Sequence, residues 1–232
     1  MSTFGHSGDI WSKFPGLGAV ALTGRLRADF EGAHEDRVRL TGDAQQRLTG
    51  AAESEFPEIQ AWRAAFGSMG LKPTKYRCAA EALLRRLRIQ GDMPQVNPLV
   101  DYYNAVSVAA AVPIAVFDLD KVSGSLLVDF SAGDETYLAF SGETETPEPG
   151  EVIFRDDARN VHARRWCHRQ SALSAAGEST RRVLIVAESM HEESGPTLDL
   201  VVRELTAATG PLESGSVRTQ RLTRDDTTFD FG

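Results

Sequence analysis

The chain reads as an α/β fold, a mixed sheet with flanking helices, and three observations carry that reading. Residues 97–110 repeat their apolar side chains at helical spacing, and Pro113 separates them from a short apolar run at 114–119. Residues 125–140 hold two alternating segments, SLLVDF and ETYLAF. Residues 183–187 are continuously apolar, the pattern of a strand covered on both faces.

In chain order, short apolar runs broken by glycine over residues 14–30 predict one or two strands. Residues 43–65 form a helical stretch interrupted at Pro57, whose ring lacks an N–H and clashes with the preceding turn; Leu48, Ile59, Trp62 and Phe66 make its buried face. After the break at Lys72 and Pro73, residues 75–89 form an amphipathic helix that ends at Gly91, a suitable left-handed cap. Asn97 caps the next helix, and Pro98 takes its first position, where a missing N–H leaves nothing unpaired. Leu99, Val100, Tyr103, Val106 and Ala110 point inward, while Asp101, Asn104 and Ser107 recur every three residues on an adjoining face. The strand at 114–119 runs into an acidic turn at Asp118 and Asp120, and residues 131–134 predict a β-hairpin between the two alternating segments. SGETETPEPG at 141–150 reads as an exposed loop. Strands at 151–155 and 161–170 and a helix at 196–209 follow, the helix with Leu198, Val201, Val202 and Leu205 on one face. Residues 1–70 are expected to pack as a cap on a domain at 71–213, with 214–232 as a tail or edge strand.

With 232 residues, 41% of them hydrophobic, the chain can bury an ordinary core. No apolar run approaches the length of a membrane span, and the start, MSTFGHSGDIWSKFPG, lacks the basic and apolar regions of a signal peptide. A soluble, cytoplasmic protein with no membrane partner is expected, with Cys78 and Cys167 as reduced thiols. The net charge of −8 argues against gripping nucleic acid over a broad surface, an affinity that comes largely from neutralising phosphates. Basic residues nevertheless gather at Arg85, Arg86 and Arg88 and at Arg159, Arg164, Arg165 and Arg169, as a local contact patch or as solvated faces.

As a strand, residues 161–170 would turn His162, Arg164, Trp166, His168 and Gln170 to one face. That face makes either a pocket floor, where Trp166 stacks, Arg164 holds an anion and His168 or Gln170 positions water, or an exposed edge packed along aliphatic stems. No metal is expected: Cys167 and His168 are adjacent and would point to opposite faces of a strand. GxSxG, P-loop and GxGxxG motifs are absent, GLG at 16–18 lacking the remaining glycine spacing, so no cofactor is expected either.

EALLRRL at 81–87, NPLVDYYN at 97–104, PIAVFDLDK at 113–121, PGEVIF at 149–154, RRWCHRQ at 164–170 and RRVLIVAES at 181–189 stand in an order and spacing that resemble a known family. They resemble the B3/B4 domain of the bacterial phenylalanyl-tRNA synthetase beta subunit, particularly its free-standing relatives, over residues 74–190. That module hydrolyses tyrosine wrongly attached to the phenylalanine tRNA. The resemblance implies a free-standing editing factor that deacylates a mischarged tRNA in trans, or a module that keeps the fold and binds an amino acid, an aminoacyl-tRNA end or a protein without turnover. An activated ester needs only an oriented water, donors for the oxyanion and a sieve for the side chain. On that reading Asn97 and His168 are catalytic; Asn104, Glu151, Arg164, Trp166 and Gln170 bind substrate; and Arg85, Arg86, Arg165 and Arg169 meet tRNA. The chain departs from the family at Ala115, where the synthetase module carries a histidine, and at Val186, which aligns with the glutamate that reads the tyrosine hydroxyl. Glu188 lies two residues along the same strand face, and could replace that glutamate only in a displaced pocket.

Overall fold

The computed structural model describes residues 2–192 and 194–232. Strand β1 (Thr3–His6), helix α1 (Gly8–Lys13) and strand β2 (Gly18–Arg25) lead into α2 (His34–Gly50), α3 (Pro57–Ser68), α4 (Ala79–Gln90) and α5 (Pro98–Ala110). Strands β3 (Ile114–Asp118), β4 (Leu126–Phe130), β5 (Thr136–Leu138), β6 (Thr144–Glu145), β7 (Val152–Asp156), β8 (Asn160–Arg164), β9 (Arg169–Gln170) and β10 (Arg182–Ser189) follow. Helix α6 (Ser194–Leu205) and strands β11 (Arg218–Leu222) and β12 (Thr228–Asp230) complete the described chain.

The strands form two sheets. The larger has the order β12-β1-β4-β7-β8-β5-β6, with β9 paired to β8, and is mixed because β1 and β4 run parallel, as do β5 and β8. The smaller, β11-β2-β10-β3, is antiparallel throughout. The first 70 residues, expected as a cap, put a strand into each sheet, and residues 214–232 supply an edge strand to each. Among the described residues no helix is long and apolar enough to cross a membrane.

Strand β10 explains the layering. Val183, Ile185 and Ala187 pack into the core made with α5 and α6, against Val106 and Val201 among others. Leu184 and Val186 face the core shared with the larger sheet, α3 and α4, where Phe154, Trp62 and Leu84 lie. Glu188 continues that second series, so the period-two alternation of a strand drives a carboxylate into the space between the sheets.

Helix signals are followed closely. Asn97 Oδ1 accepts from the Val100 amide at 2.9 Å and caps α5, and Gly91 closes α4 with φ +77°. Pro57 starts α3 rather than interrupting one long helix, since its missing N–H is harmless at the first position. Val100, expected inward, is half-buried, whereas Tyr102, Ala105 and Val108 are buried, because α5 is covered on several sides.

The expected hairpin at 125–140 does not form: β4 and β5 are separated by β7 and β8. Its turn residues instead wrap the Glu135 carboxylate, which accepts from Ser131 Oγ at 2.6 Å and from the amides of Ala132 at 3.0 Å and Gly133 at 3.1 Å. The wrap sends the chain past its neighbour, with Gly133 at φ +89°. Burial alone would raise this carboxyl, but the Ser131 hydroxyl and the amides hold it at about 2, below its ordinary 4.5. A depressed pKa stabilises the fold above pH 4.5, and the contribution fades as pH falls from there towards 2. Glu135→Gln is expected to cost about 1–3 kcal/mol at pH 7 and to flatten that acid dependence. Urea unfolding of both proteins between pH 2 and 7 measures it, and parallel curves would refute the assignment.

Candidate functional site

A recess of about 70 Å³ opens between the two sheets. Phe154 on β7 is level with Ala163 on β8, and Ala163 with Gln170 on β9, so these three side chains share the face that lines it. Ile114 and Ala115 of β3, Ala79 at the start of α4 and Glu188 at the end of β10 complete the wall with Trp166, Cys167 and His168.

The Glu188 carboxylate ends the recess and is 3% exposed. Its Oε1 accepts from Trp166 Nε1–H at 2.9 Å and from His6 Nε2–H at 2.6 Å. The second oxygen, Oε2, accepts no hydrogen bond among the described residues. Trp166 is fully buried, edge-on to Phe14 at 4.8 Å and to Trp62 at 5.3 Å.

His168 is half-buried. Its Nδ1 donates to the Arg77 carbonyl at 2.8 Å, which leaves Nε2 as the acceptor of the ring. Burial pulls its pKa below 6.5, the Arg77 carbonyl works against that shift, and the guanidinium groups of Arg165 and Arg169 add to it. The imidazole is therefore neutral at pH 7. Gln170 donates one amide N–H to the Val116 carbonyl at 2.7 Å. Burial pushes the Cys78 thiol up to about 12, and raises that of Cys167 well above its ordinary value, so neither is a thiolate nucleophile at neutral pH.

Residues 161–170 are not one strand. β8 stops at Arg164, Arg165 and Trp166 adopt φ +47° and +59°, and the chain returns as β9. The five side chains expected on one face are consequently divided. Arg164 pairs with Arg169 across β8 and β9 and stays off the recess, whose lining includes Trp166, His168, Arg169 and Gln170. Arg164 is 3% exposed and binds Glu151 in a fork, Nε to Oε1 at 2.8 Å and Nη2 to Oε2 at 2.9 Å, with Nη1 on Glu145. The hydrogen bonds that Arg164 donates to Glu151 raise the guanidinium pKa, and the Arg165 amide donates to the same carboxylate at 3.0 Å. Glu151 and Arg164 thus satisfy each other and brace the turn that holds Trp166.

Asn97 and Asn104 lie on α5, which covers the opposite face of the smaller sheet. At about 1.5 Å per residue the helix spans about 20 Å, so Asn97 is roughly that far from Pro113 at the recess. Asn97 instead lines a separate groove of about 420 Å³ with Arg27, Phe30 and Arg181. Arg85 faces buried Glu53 at 3.4 Å, and Arg86 faces Asp92 at 3.4 Å, both on the helix that leaves the recess at Ala79. Arg165 lies over the Tyr76 ring and exposed Arg169 over Tyr137.

His162 makes a separate network. Its Nδ1 is 2.7 Å from Ser174 Oγ and its Nε2 3.2 Å from Asp156, residue types of a hydrolytic triad. All three are 0% exposed, so the serine has no route to a substrate and the network pins the 171–176 segment to the β7–β8 turn. His6 was invisible to sequence reasoning, a lone histidine in a short apolar run whose partner stands far along the chain.

The fold and site define a class: a two-sheet α/β domain with a recess between the sheets. The chain belongs to the B3/4 domain family, whose profile matches residues 61–195, more than half of its length. It is similar to the phenylalanine–tRNA ligase beta subunit of Cereibacter sphaeroides, 32% identical over 94 residues, which is 40% of this chain and 12% of that protein. The beta subunit of Ruegeria pomeroyi is 39% identical over 72 residues, 31% of this chain and 9% of that one. The chain therefore spans about a tenth of the length of these curated relatives. Among solved structures, an N-terminal fragment of the phenylalanyl-tRNA synthetase beta-subunit from Pyrococcus horikoshii covers 87% of this chain and 47% of its own, with TM-score 0.44 and 14% identity.

Glu151→Ala strands a buried guanidinium and is expected to cost about 3–5 kcal/mol of stability. Urea unfolding checks this, and a loss below about 1 kcal/mol would return Glu151 to the list of surface groups.

Proposed function

We propose that this domain hydrolyses the aminoacyl ester of a mischarged tRNA in trans, with the recess between the sheets as its site. The observation that carries the reading is His168, tethered through Nδ1 with Nε2 left as an acceptor, beside a recess that ends on a buried carboxylate. Family membership supports a tRNA-related role, since the matched relatives are named phenylalanine–tRNA ligase beta subunits.

His168 Nε2 takes a proton from a water as its oxygen attacks the ester carbonyl. The collapsing intermediate returns that proton to the departing ribose hydroxyl, so the products are a free amino acid and uncharged tRNA. The second amide N–H of Gln170 is available to the developing oxyanion, and Trp166 and Phe154 form the sieve. Arg169 lines the recess and Arg165 precedes Trp166 of its wall, a short basic edge on an acidic protein, whereas Arg85 and Arg86 on α4 are paired with Glu53 and Asp92. Asn97, Asn104, Glu151 and Arg164 have no part in this mechanism.

Stacked against it is a binding module without turnover, favoured by the commitment of Arg164 and Glu151 to each other. Deacylation of a panel of mischarged tRNAs separates the two, and rates equal to buffer throughout would leave binding alone. His168→Ala is expected to slow hydrolysis about 10²–10⁴-fold while the protein stays folded. The wild-type rate should be level above pH 6.5 and fall only at lower pH, because burial keeps His168 unprotonated until then. A decline that begins above pH 7 would assign the base elsewhere.

A further inference from the structure

The recess holds about 70 Å³, whereas a cavity of about 150 Å³ is what admits a benzene ring. An aromatic side chain does not fit. The recess walls resist enlargement: Trp166 is wedged between Phe14 and Trp62, Phe154 and Phe117 are in ring contact at 5.4 Å, and Pro113 is bonded through its carbonyl to the Glu188 amide at 3.4 Å.

The polar end of the recess is equally specific. Glu188 Oε1 is occupied by Trp166 and His6, while Oε2 has no partner among the described residues. A carboxylate oxygen left without a partner at the wall of the recess favours a ligand that donates a hydrogen bond over an apolar one of the same size. Ala115 of the wall is level with Val186 across β3 and β10, two residues before Glu188 on the same strand face.

We infer that the recess takes the side chain of a small hydroxylated amino acid, serine in kind, whose hydroxyl donates to Glu188 Oε2. The inference deepens the hydrolytic reading and rests on it for the ester, but not for recognition of the side chain. Selectivity then has two sources. Size rejects tyrosine and phenylalanine, and the carboxylate rejects alanine.

The test uses the full chain with tRNAs charged with serine, alanine or tyrosine, and in parallel the non-hydrolysable 3′-amide analogues of seryl-, alanyl- and tyrosyl-adenosine in thermal-shift measurements. Seryl ester is expected to be cleaved about tenfold faster than alanyl ester or better, with tyrosyl ester at the buffer rate. The seryl analogue should give the largest thermal shift. Glu188→Gln keeps an oxygen to accept from Trp166 and His6 but turns the other acceptor into a donor, and should bring the seryl-to-alanyl ratio towards one. Should that variant not fold, Ala115→Val, which fills the recess from β3, should abolish the seryl shift. Preference for tyrosyl, or equal rates for seryl and alanyl, overturns the inference while leaving hydrolysis intact. Thermal stabilisation by the seryl analogue without cleavage of any ester upholds it and removes the hydrolytic reading. No shift and no cleavage overturns both.

Discussion

The contact of Glu188 with His6 and Trp166 is the constraint on which the rest of the molecule depends. It ties β1 of the larger sheet, β10 of the smaller sheet and the turn after β8 at one carboxylate oxygen. A lone carboxylate in such a core would be expelled or protonated. Two N–H donors on Oε1, with Trp62 Nε1 on the Glu188 carbonyl at 3.3 Å, make the burial tolerable and orient three elements at once. The same carboxylate stands at the wall of the recess between the sheets.

The turn at Arg165 and Trp166 shows how the site is braced. Two consecutive residues with positive φ are unfavourable by about 1–2 kcal/mol each without a glycine. The conformation is held by the Trp166 amide on the Val152 carbonyl at 2.7 Å, by burial of the whole indole, and by the Glu151 carboxylate gripping the Arg164 side chain and the Arg165 amide. The left-handed backbone carries large side chains here, and one of them becomes a wall of the recess.

Charge is distributed by the same logic. The chain is acidic overall, yet buried carboxylates at Glu53, Glu81 and Glu151 each capture one or more arginines. Arginines that look like an anion-binding cluster in the sequence are for the most part struts within the fold. Arg169, exposed beside the recess, faces Glu145 at 3.4 Å and lies over Tyr137, which confines any polyanion contact to a short edge.

Local signals were legible wherever a residue's effect is short-ranged. The Asn97–Pro98 start and the Gly91 stop depend on backbone hydrogen bonds within one turn, and the mixed α/β character follows from periodicity alone. Of the RRWCHRQ segment, Trp166, His168 and Gln170 line the recess. What sequence could not decide was which side chains meet. A period-two reading of 161–170 fails once two positive-φ residues reverse the chain, sending Arg164 away from Gln170. Likewise the missing hairpin depended on Glu135 gathering amides, and the partnership of His6 with Glu188 joins positions 182 residues apart. Backbone propensity is written in neighbouring residues, whereas a buried carboxylate takes its partners from whatever strands the two sheets bring beside it, and only the tertiary structure makes that choice.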